Sequence, residues 1–446
     1  MLEPWLRLEA VLDAGTFHRD PPAGASPHLA RWGIRAQEDD GVVTGSGKLG
    51  GTAVAVAAQD GRFLGGSIGE RHARALERLF SRALEERLPV LLLLESGGVR
   101  LYEANAAELA AARALSQLLT LRTAGIATLA VAMGPCFGGG SVLACACASL
   151  LMLPHALLGL SGPKVIETAA GRGELDASDA ALVRSTFGAE ARARAGIASG
   201  VGDDADEVRA AAKDGLSRAT PLDLRTIAMD QARFVAAARL QGAEPMPCGE
   251  SGLFAELMPP GSLPLSAGDW LWNIPGMRVD VLMPSGACAV GPSRALAMTA
   301  AVLQFIERHR GKPATLVILE DSTGHEPSRH AEAAGLSRLL AHHAASLAVA
   351  KLESHRIIAV LAGTGHSAAF FVNALQAHEL HALRGARVLA MDPAAVARVT
   401  HLSPAQLDGL LEDDDLLGQP ARHLQALGGL SGMLERSPEA LLALLE

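Results

Sequence analysis

Two apolar stretches, each followed by a glycine-rich turn, most constrain what this 446-residue chain can fold into. Residues 90–94 are all apolar, and residues 126–133 contain one polar position, Thr128. An unbroken apolar strand is typical of a parallel sheet that is covered on both faces. The sequence therefore predicts an α/β fold, with helices packed on both sides of a mostly parallel sheet.

Predicted strands and amphipathic helices alternate along both halves of the chain. In the first half we predict strands at 54–58, 90–94, 126–133 and 150–153 and helices at 70–87 and 104–124. In the second half we predict helices at 292–310 and 329–354, strands at 315–319, 357–361 and 386–390, a glycine-bearing turn at 363–365 and a small-residue helix from 368.

Three landmarks occur in the same order in both halves. They are Glu95 with Glu320, Gly134 with Gly363 and Pro163 with Pro393, and the separation along the chain is nearly the same for each pair. These spacings predict duplication of a whole domain, although two unrelated α/β domains with the same rhythm stay an alternative. The segment between the halves is rich in Pro, Gly and Ser. We therefore predict one domain at 1–240, a linker at 241–270 and a second domain at 271–446.

The composition excludes several classes of protein. Charged residues make up 20% of the chain and the net charge is −9, which argues against disorder and against binding of nucleic acid. No uninterrupted apolar stretch approaches the ~20 residues of a membrane span, and the first residues do not resemble a secretory signal. The five cysteines form no CxxC pair, so we expect reduced thiols, a cytoplasmic protein and no zinc ribbon. Cys145 and Cys147 lie in an apolar run and are predicted to be buried.

Two glycine turns in the first half carry the strongest chemical signal. Residues 95–101 (ESGGVRL) and 134–140 (GPCFGGG) each follow a predicted buried strand and precede a helix. Ligands of open α/β sheets bind at the carboxyl ends of the strands, where glycine allows close approach of the backbone. Two such turns could direct two N–H groups at one oxygen, as an oxyanion hole for an enolate or a tetrahedral intermediate. Glycines that serve only tight helix–sheet packing are the alternative. Neither turn fits a P-loop, and G-x-S-x-G is absent.

Several segments of the first half resemble the β subunit of malonate decarboxylase. They are DGVVTGSG (40–47), QDGRF (59–63), GGS (65–67), LLESGGVRL (93–101), EAN (103–105), CFGG (136–139), LGLSGP (158–163) and VIET (165–168). From about residue 287 the chain resembles the γ subunit, most clearly at MDPAAVARVTHL (391–402). The resemblance covers residues 38–215 and the second half, and it implies a fusion of the two subunits. The family belongs to the crotonase-like carboxyltransferases, so two tandem crotonase-like (ββα-superhelix) domains are expected.

The resemblance also implies an activity and its partners. The family decarboxylates a malonyl thioester to the acetyl thioester and CO2, so the chain is expected to be a carboxy-lyase. The substrate would be attached to a phosphopantetheine-type (dephospho-CoA-derived) arm of an acyl carrier protein. Partners would be that carrier and the acyl-carrier transferase subunits, with no cofactor bound covalently to this chain and homo-oligomerisation left open. A biotin-dependent carboxyltransferase and a non-catalytic scaffold of a decarboxylase complex are the alternatives.

The site residues follow from the glycine turns and the matched segments. We predict Gly97, Gly98, Gly138 and Gly139 as backbone donors, Tyr102 as proton donor, and Arg100, Ser96, Phe137, Ser161 and Gly162 as substrate-binding residues. Tyr102 is the only tyrosine and stands where β subunits of the family carry histidine; packing at the turn is its alternative role. Arg100 could bind a carboxylate or phosphate, or form a buried structural ion pair.

The second half departs from the family pattern at its own turn. Residues 363–369 (GTGHSAA) lack the paired glycines that resembling γ subunits carry, so we do not expect the same chemistry there. The histidines show no metal-ligand spacing, and no metal site is predicted. His342 and His343 are predicted to be exposed.

One helix in the first half is a candidate docking surface. Arg71, Arg74, Arg78 and Arg82 are predicted to share one face of this helix. We predict that this face binds an acidic carrier protein. A solvated face that is balanced by neighbouring glutamates is the alternative.

Overall fold

The computed structural model describes residues 3–240, 252–265, 270–283 and 288–446. The chain divides into two compact units. The first unit comprises residues 1–100, 113–222 and 327–341, and the second comprises residues 101–112, 223–326 and 342–446. Each half of the sequence therefore contributes a short segment to the unit built mainly from the other half. Half of the predicted linker lies outside the described residues, and its described residues, 252–265 and 270, belong to the second unit.

The helices fall close to the amphipathic segments of the sequence. They are α1 (Pro4–Val11), α2 (Glu70–Glu85), α3 (Ala104–Thr123), α4 (Gly138–Ala146), α5 (Pro163–Ala170), α6 (Ala180–Phe187), α7 (Ala189–Arg194), α8 (Ala205–Ser217), α9 (Leu224–Leu240), α10 (Gly252–Ala255), α11 (Pro292–Arg308), α12 (Arg329–Ala333), α13 (Leu336–Leu352), α14 (Ser367–Val372), α15 (Pro393–Thr400), α16 (Pro404–Asp413), α17 (Arg422–Ala426) and α18 (Pro438–Ala443).

Most of the strands form one main sheet in each unit, and the others form two short pairs in the second unit. The strands are β1 (His18–Arg19), β2 (Val42–Leu49), β3 (Thr52–Gln59), β4 (Val90–Ser96), β5 (Thr128–Cys136), β6 (Ser149–Met152), β7 (Leu157–Leu158), β8 (Ser199–Gly200), β9 (Leu263–Pro264), β10 (Leu271–Asn273), β11 (Val279–Leu282), β12 (Cys288–Val290), β13 (Thr315–Glu320), β14 (Ser322–His325), β15 (Arg356–Leu361), β16 (Thr364–His366), β17 (Glu379–Leu383), β18 (Arg387–Leu389) and β19 (Gly432–Leu434).

In the first unit the sheet order is β1-β2-β3-β4-β5-β6-β8, and β7 pairs with the end of β5. The first three strands are antiparallel, and those from β3 to β8 are parallel. Every residue of β4 is buried, as its unbroken apolar sequence predicts. The carboxyl ends of the parallel strands therefore meet at one edge of the sheet.

The second unit repeats this plan. Its main sheet runs β9-β10-β11-β13-β15-β17-β19, with antiparallel pairing up to β11 and parallel pairing from there on. The short pairings beyond the sheet are repeated as well. In the first unit Pro135 pairs with Leu157, and in the second Thr364 pairs with Arg387, at equivalent positions of the repeat. The two units thus have the same α/β strand plan, which confirms the predicted α/β class.

Three predictions for the second half are wrong in detail. The helix predicted at 329–354 is divided into α12 and α13, because Gly335 takes a left-handed conformation with φ +78°. The turn predicted at 363–365 is instead occupied by β16. His342 and His343 are buried, since α13 lies inside the protein rather than at its surface. His343 Nε2 hydrogen-bonds to Asn373 Oδ1 (2.9 Å), and His342 Nε2 hydrogen-bonds to Gln231 Oε1 (3.1 Å).

Within the described residues, no helix is long and apolar enough to cross a membrane. The same residues contain no group of three or more His, Cys, Asp and Glu side chains that could hold a metal ion. Cys145 and Cys147 are buried as free thiols, as predicted, and burial raises their pKa to about 11 and about 12. Thiols in this state behave as small apolar side chains.

Candidate functional site

The two glycine turns of the first unit begin where neighbouring parallel strands end. Ser96 is the last residue of β4, Cys136 is the last residue of β5, and the two residues are paired across the sheet. The Phe137 N–H then donates to the Ser96 carbonyl oxygen at 2.7 Å. The sheet therefore fastens the two turns side by side.

Direct backbone contact between the turns depends on two glycines. Gly98 has φ +97° and Gly138 has φ +56°, both in the left-handed region that favours glycine. A Cβ on Gly138 would lie 2.9 Å from the Gly98 Cα, and a Cβ on Gly98 would lie 3.3 Å from the Gly138 Cα. The structure thus brings together the two turns that the sequence singled out, at a separation that leaves no room for a side chain.

The four predicted N–H donors are not equivalent. The Gly98 N–H donates to Ser96 Oγ at 3.2 Å, and the Gly138 N–H donates to the Leu160 carbonyl oxygen at 2.9 Å. For Gly97 and Gly139 no N–H hydrogen bond is formed within the described part of the chain. Gly139 lies in the first turn of α4, where N–H groups lack an intrahelical acceptor. The N–H groups of Gly97, which is exposed, and Gly139, which is buried, are therefore the two of the four that lack a protein acceptor among the described residues.

A third loop, between β7 and α5, borders the turns. The bond from Gly138 to the Leu160 carbonyl fastens this loop to the start of α4. The loop's own N–H groups are held by a buried carboxylate: Ser161 N–H donates to Glu332 Oε1 at 2.7 Å, and Leu160 N–H donates to Glu332 Oε2 at 3.0 Å. Glu332 is the residue in α12 that sequence reasoning missed.

Arg192 contacts both Glu332 and the strand that precedes this loop. Its Nη2 lies 3.6 Å from Glu332 Oε2, and its Nε donates to the Leu158 carbonyl oxygen at 2.8 Å. Both side chains are fully buried. Burial raises the pKa of Glu332 to about 7, against the opposing effects of Arg192 and the two N–H donors. No local pattern could have indicated Glu332, because it lies far along the sequence from the loop that it holds.

The other substrate-binding predictions fall around the same loops. Ser96 is buried and its hydroxyl shapes the first turn by accepting from Gly98. The Phe137 ring packs edge-on against Phe187, with centroids 5.8 Å apart, and lies next to Gly162. Ser161 and Gly162 immediately precede α5. Phe137, a residue of the second glycine turn, thereby packs against an apolar cluster that also contains Ile166, Leu175 and Val183.

Arg100, predicted to bind substrate, forms the alternative structural ion pair instead. Its side chain is 1% exposed, and Nη1 lies 2.5 Å from Asp40 Oδ1. Nη2 donates to the carbonyl oxygens of Asp40 (3.2 Å) and Ser67 (3.0 Å), and the guanidinium lies over the Phe63 ring. A cation that is buried and satisfied in this way stabilises the loops around Asp40 and cannot reach a substrate carboxylate.

Tyr102 is half-buried and belongs to the second unit. Its catalytic role stays a prediction.

The arginine face of α2 is partly paired with carboxylates. Arg74 pairs with Glu70 at 2.5 Å, and Arg82 pairs with Asp20. These pairs favour the alternative interpretation of this face, a solvated surface balanced by carboxylates.

Comparison with known proteins covers both halves of the chain. A family model of the carboxyl transferase domain matches residues 3–217, and a family model of the malonate decarboxylase gamma subunit matches residues 286–444. The malonyl-S-ACP:biotin-protein carboxyltransferase of Malonomonas rubra is 39% identical over 201 residues, which cover 41% of this chain and 63% of that protein. The acetyl-coenzyme A carboxylase carboxyl transferase subunit beta of a Synechococcus species is 35% identical over 183 residues, 38% of this chain and 58% of that protein.

Among solved structures, one chain of a Pseudomonas malonate decarboxylase hetero-tetramer in complex with malonate is 38% identical, with a TM-score of 0.49. The match covers 53% of this chain and 89% of that chain. The chain spans 58–63% of the length of the two curated relatives above.

Residues 3–217, which contain the glycine turns at the carboxyl ends of β4 and β5, match the carboxyl transferase domain, and this match places the first half of the chain in that class. Residues 286–444 match the malonate decarboxylase gamma subunit, so the chain joins a carboxyl transferase domain and a γ-subunit region in one polypeptide, as the resemblance implied.

Proposed function

We propose that this chain decarboxylates a malonyl thioester on an acyl carrier protein to the acetyl thioester and CO2, and that it acts as a carboxy-lyase. The observation that supports this most directly is the contact of the Gly98 and Gly138 turns, beside which the N–H groups of Gly97 and Gly139 make no hydrogen bond within the described residues. Two fixed donors at one place are what an oxyanion requires.

The chemistry follows from where negative charge develops. When the C–C bond to the carboxylate breaks, its electron pair moves into the thioester and forms an enolate. The Gly97 and Gly139 N–H groups would donate to that enolate oxygen more strongly than to the neutral carbonyl, which lowers the barrier. The apolar cluster around Phe137 would favour release of neutral CO2 over retention of a charged carboxylate.

The remaining predicted residues receive supporting tasks in this proposal. Ser96 would keep Gly98 in its left-handed conformation, and Ser161 and Gly162 would line the path of the thioester arm. Tyr102 would return a proton to the enolate carbon after CO2 has left. Arg100 is left out because its guanidinium is occupied by Asp40.

The partners in this proposal are an acyl carrier protein with a phosphopantetheine-type arm and the subunits that load it. The name of the Malonomonas relative includes malonyl-S-ACP, and the Pseudomonas relative is a hetero-tetramer. No cofactor bound covalently to this chain is required. A second candidate function is transfer of the carboxyl group to a biotin protein, which is favoured by the 39% identity to the Malonomonas carboxyltransferase.

One experiment separates these functions. The protein is incubated with malonyl-carrier thioester, with and without a biotinylated carrier protein, and the products are measured by mass spectrometry. Decarboxylation predicts acetyl-carrier and free CO2 in both reactions. Appearance of acetyl-carrier only when the biotinylated carrier is present, together with carboxybiotin, would replace the proposal with carboxyl transfer. Unchanged malonyl-carrier in both reactions would favour a scaffold.

A further inference from the structure

The second unit repeats the pair of left-handed residues that shapes the glycine turns, but with one replacement. Gly324, with φ +94°, stands at the position of the repeat that corresponds to Gly98, and Ser367, with φ +53°, stands at the position that corresponds to Gly138. The two turns of the second unit also meet, because a Cβ on Gly324 would lie 3.1 Å from His366 Nδ1. The site geometry is therefore duplicated, with a serine where the first unit has glycine.

Ser367 occupies a strained position between a strand and a helix. It follows β16 directly and is the first residue of α14. A non-glycine residue at positive φ is uncommon, and such strain persists mainly where it serves a function. A nucleophilic serine on a sharp strand-to-helix turn is held in the same way in hydrolases of other folds, where the turn exposes its Oγ.

A histidine lies within hydrogen-bond distance of this serine. Ser367 Oγ is 3.2 Å from Nδ1 of His325, the last residue of β14. Burial, and secondarily the neighbouring His366, lower the pKa of His325 to about 4, so its imidazole is neutral at physiological pH. A neutral imidazole can accept the serine proton, and Nδ1 of His325 is the nitrogen that faces Ser367.

The two side chains are also partly exposed. Ser367, His325 and His366 are all half-buried, whereas Ser96 and Ser141 in the first unit are buried. The second unit therefore combines three features of a nucleophilic site. They are a partly exposed serine, a neutral base in contact with that serine, and a left-handed backbone conformation at the start of the helix.

We propose that Ser367 and His325 form a second, nucleophilic site, which takes an acyl group from an ester or thioester and transfers it to water. Ser367 Oγ attacks the acyl carbon while its proton passes to His325. The C–O or C–S bond then breaks, and His325 returns the proton to the departing alcohol or thiol. Water next attacks the acyl-serine, again giving a proton to His325, and the ester bond breaks to release the carboxylic acid and restore Ser367. This activity does not depend on the proposed decarboxylation.

The test uses a fluorophosphonate probe, which reacts with activated serines, on the full chain, with peptide mass spectrometry to locate the adduct. We expect phosphonylation at Ser367, no adduct at this position in Ser367→Ala or Ser367→Gly, and a reaction about 10²–10⁴-fold slower in His325→Gln. The rates of p-nitrophenyl acetate hydrolysis should rank the wild type and these variants in the same order. Ser367→Gly keeps the turn, because glycine accepts the left-handed conformation.

Ser354 provides a matched control. It is a more exposed serine with a similar left-handed backbone (φ +66°) in the same unit, and its hydroxyl makes no hydrogen bond to histidine within the described residues. Ser354→Ala should label at the wild-type rate. Absence of an adduct at Ser367 in the wild type, equal labelling of Ser354 and Ser367, or wild-type labelling in His325→Gln would each overturn the proposal. Because the readout is labelling rather than decarboxylation, failure of either function can be recognised separately.

Discussion

The two units have one architecture and two different sets of polar residues at its carboxyl edge. The strand order, the antiparallel start and the short pairing beyond the sheet are the same in both. At the turns, however, Gly138 is replaced by Ser367, and Val99, which bridges to Ile68, is replaced by His325, which pairs with Val290. The first unit thus offers backbone donors, and the second offers a hydroxyl beside an imidazole. The fold fixes where a ligand can bind, and the turn residues decide what chemistry is available there.

The same comparison applies to the buried glutamates at the ends of β4 and β13. Glu95 forms an ion pair with Arg7 at 2.5 Å, and both side chains are almost fully buried. Glu320 has no such cation among the described residues and instead accepts from Ser322 Oγ (2.8 Å) and Asn373 Nδ2 (2.6 Å). Burial raises the pKa of Glu320 to about 7. Equivalent carboxyls therefore have different partners in the two units, a buried cation for Glu95 and two neutral donors for Glu320.

The largest expected effect concerns these two carboxyls. Glu95→Gln leaves the Arg7 guanidinium buried beside a neutral amide and should lower the free energy of unfolding by about 3–5 kcal/mol. Glu320→Gln should not lower it at pH 7, because an amide can accept from Asn373 and donate to Ser322 and carries no buried charge. Denaturant unfolding of the full chain measures both. A loss in Glu320→Gln as large as that in Glu95→Gln would contradict the difference between the two carboxyls.

Substitutions in the two turns should also have very different effects on kcat. Gly98→Ala pushes a methyl group against Gly138 and displaces the donors at the first turn, so kcat for malonyl thioester should fall by about 10²–10³-fold. Gly324→Ala in the second unit should change this kcat by less than about twofold. Steady-state kinetics with malonyl-carrier thioester measures both variants.

Gly171→Ala is the matched control for that experiment. Gly171 has φ +88°, and a Cβ at this position would have no atom within 4 Å, so alanine there has the same backbone strain without the contact. It should retain wild-type kcat. If Gly98→Ala and Gly171→Ala behave alike, the turn has no part in catalysis, and if Gly324→Ala loses as much as Gly98→Ala, the second unit takes part in the decarboxylation.

Glu320 should also make stability depend on pH. Its pKa is higher in the folded protein (about 7) than the ordinary value of 4.5, so the folded state binds this proton more tightly. Its contribution to stability is complete below pH 4.5 and is lost as the pH rises to 7, by on the order of 3 kcal/mol. The difference between wild type and Glu320→Gln in unfolding free energy, measured from about pH 4.5 to 8, isolates this contribution. A pH-independent difference would contradict the raised pKa.

The sequence predicted the parts of this comparison that depend on local patterns. The apolar runs located β4, β13 and β15, and the glycine spacing located the two turns of the first unit. Glu332 and Arg192 could not be predicted, because their positions follow from packing between segments far apart in the sequence. In the sequence, Ser367 shows only that a glycine is missing, since its backbone conformation and its contact with His325 are tertiary features.

The loops that follow differ as well, and this gives a smaller expected effect. In the second unit Asp392 caps its own helix, accepting from the Ala394 N–H, whereas Gly162 provides no side-chain cap and the first unit uses Glu332. Glu332→Gln should therefore lower kcat about 10–100-fold with little change in KM, through displacement of the loop bonded to Gly138. Wild-type kcat should also rise with pH through about 7, as Glu332 ionises and accepts more strongly, and the variant should lose this rise.

Glu174→Gln serves as the control for Glu332. Glu174 also supports α12, accepting from the Arg329 N–H at 2.7 Å, but within the described residues it contacts none of the three loops of the site. It should leave both kcat and the pH profile unchanged. The same losses in both variants would indicate that α12 acts only through stability and that Glu332 does not position the site.

The smallest expected effect is at the replaced turn residue itself. Ser367→Gly relieves the left-handed strain on a residue with a Cβ, but it loses the hydrogen bond to His325 and adds conformational freedom to the unfolded chain. These contributions oppose each other, so the free energy of unfolding should change by no more than about 0.5 kcal/mol. The reciprocal Gly138→Ser places a Cβ 2.9 Å from the Gly98 Cα and should destabilise by about 1–3 kcal/mol. Thermal unfolding of both variants tests the asymmetry. A destabilisation of Ser367→Gly as large as that of Gly138→Ser would mean that the serine stabilises the turn, and the strain at Ser367 would then need no functional explanation.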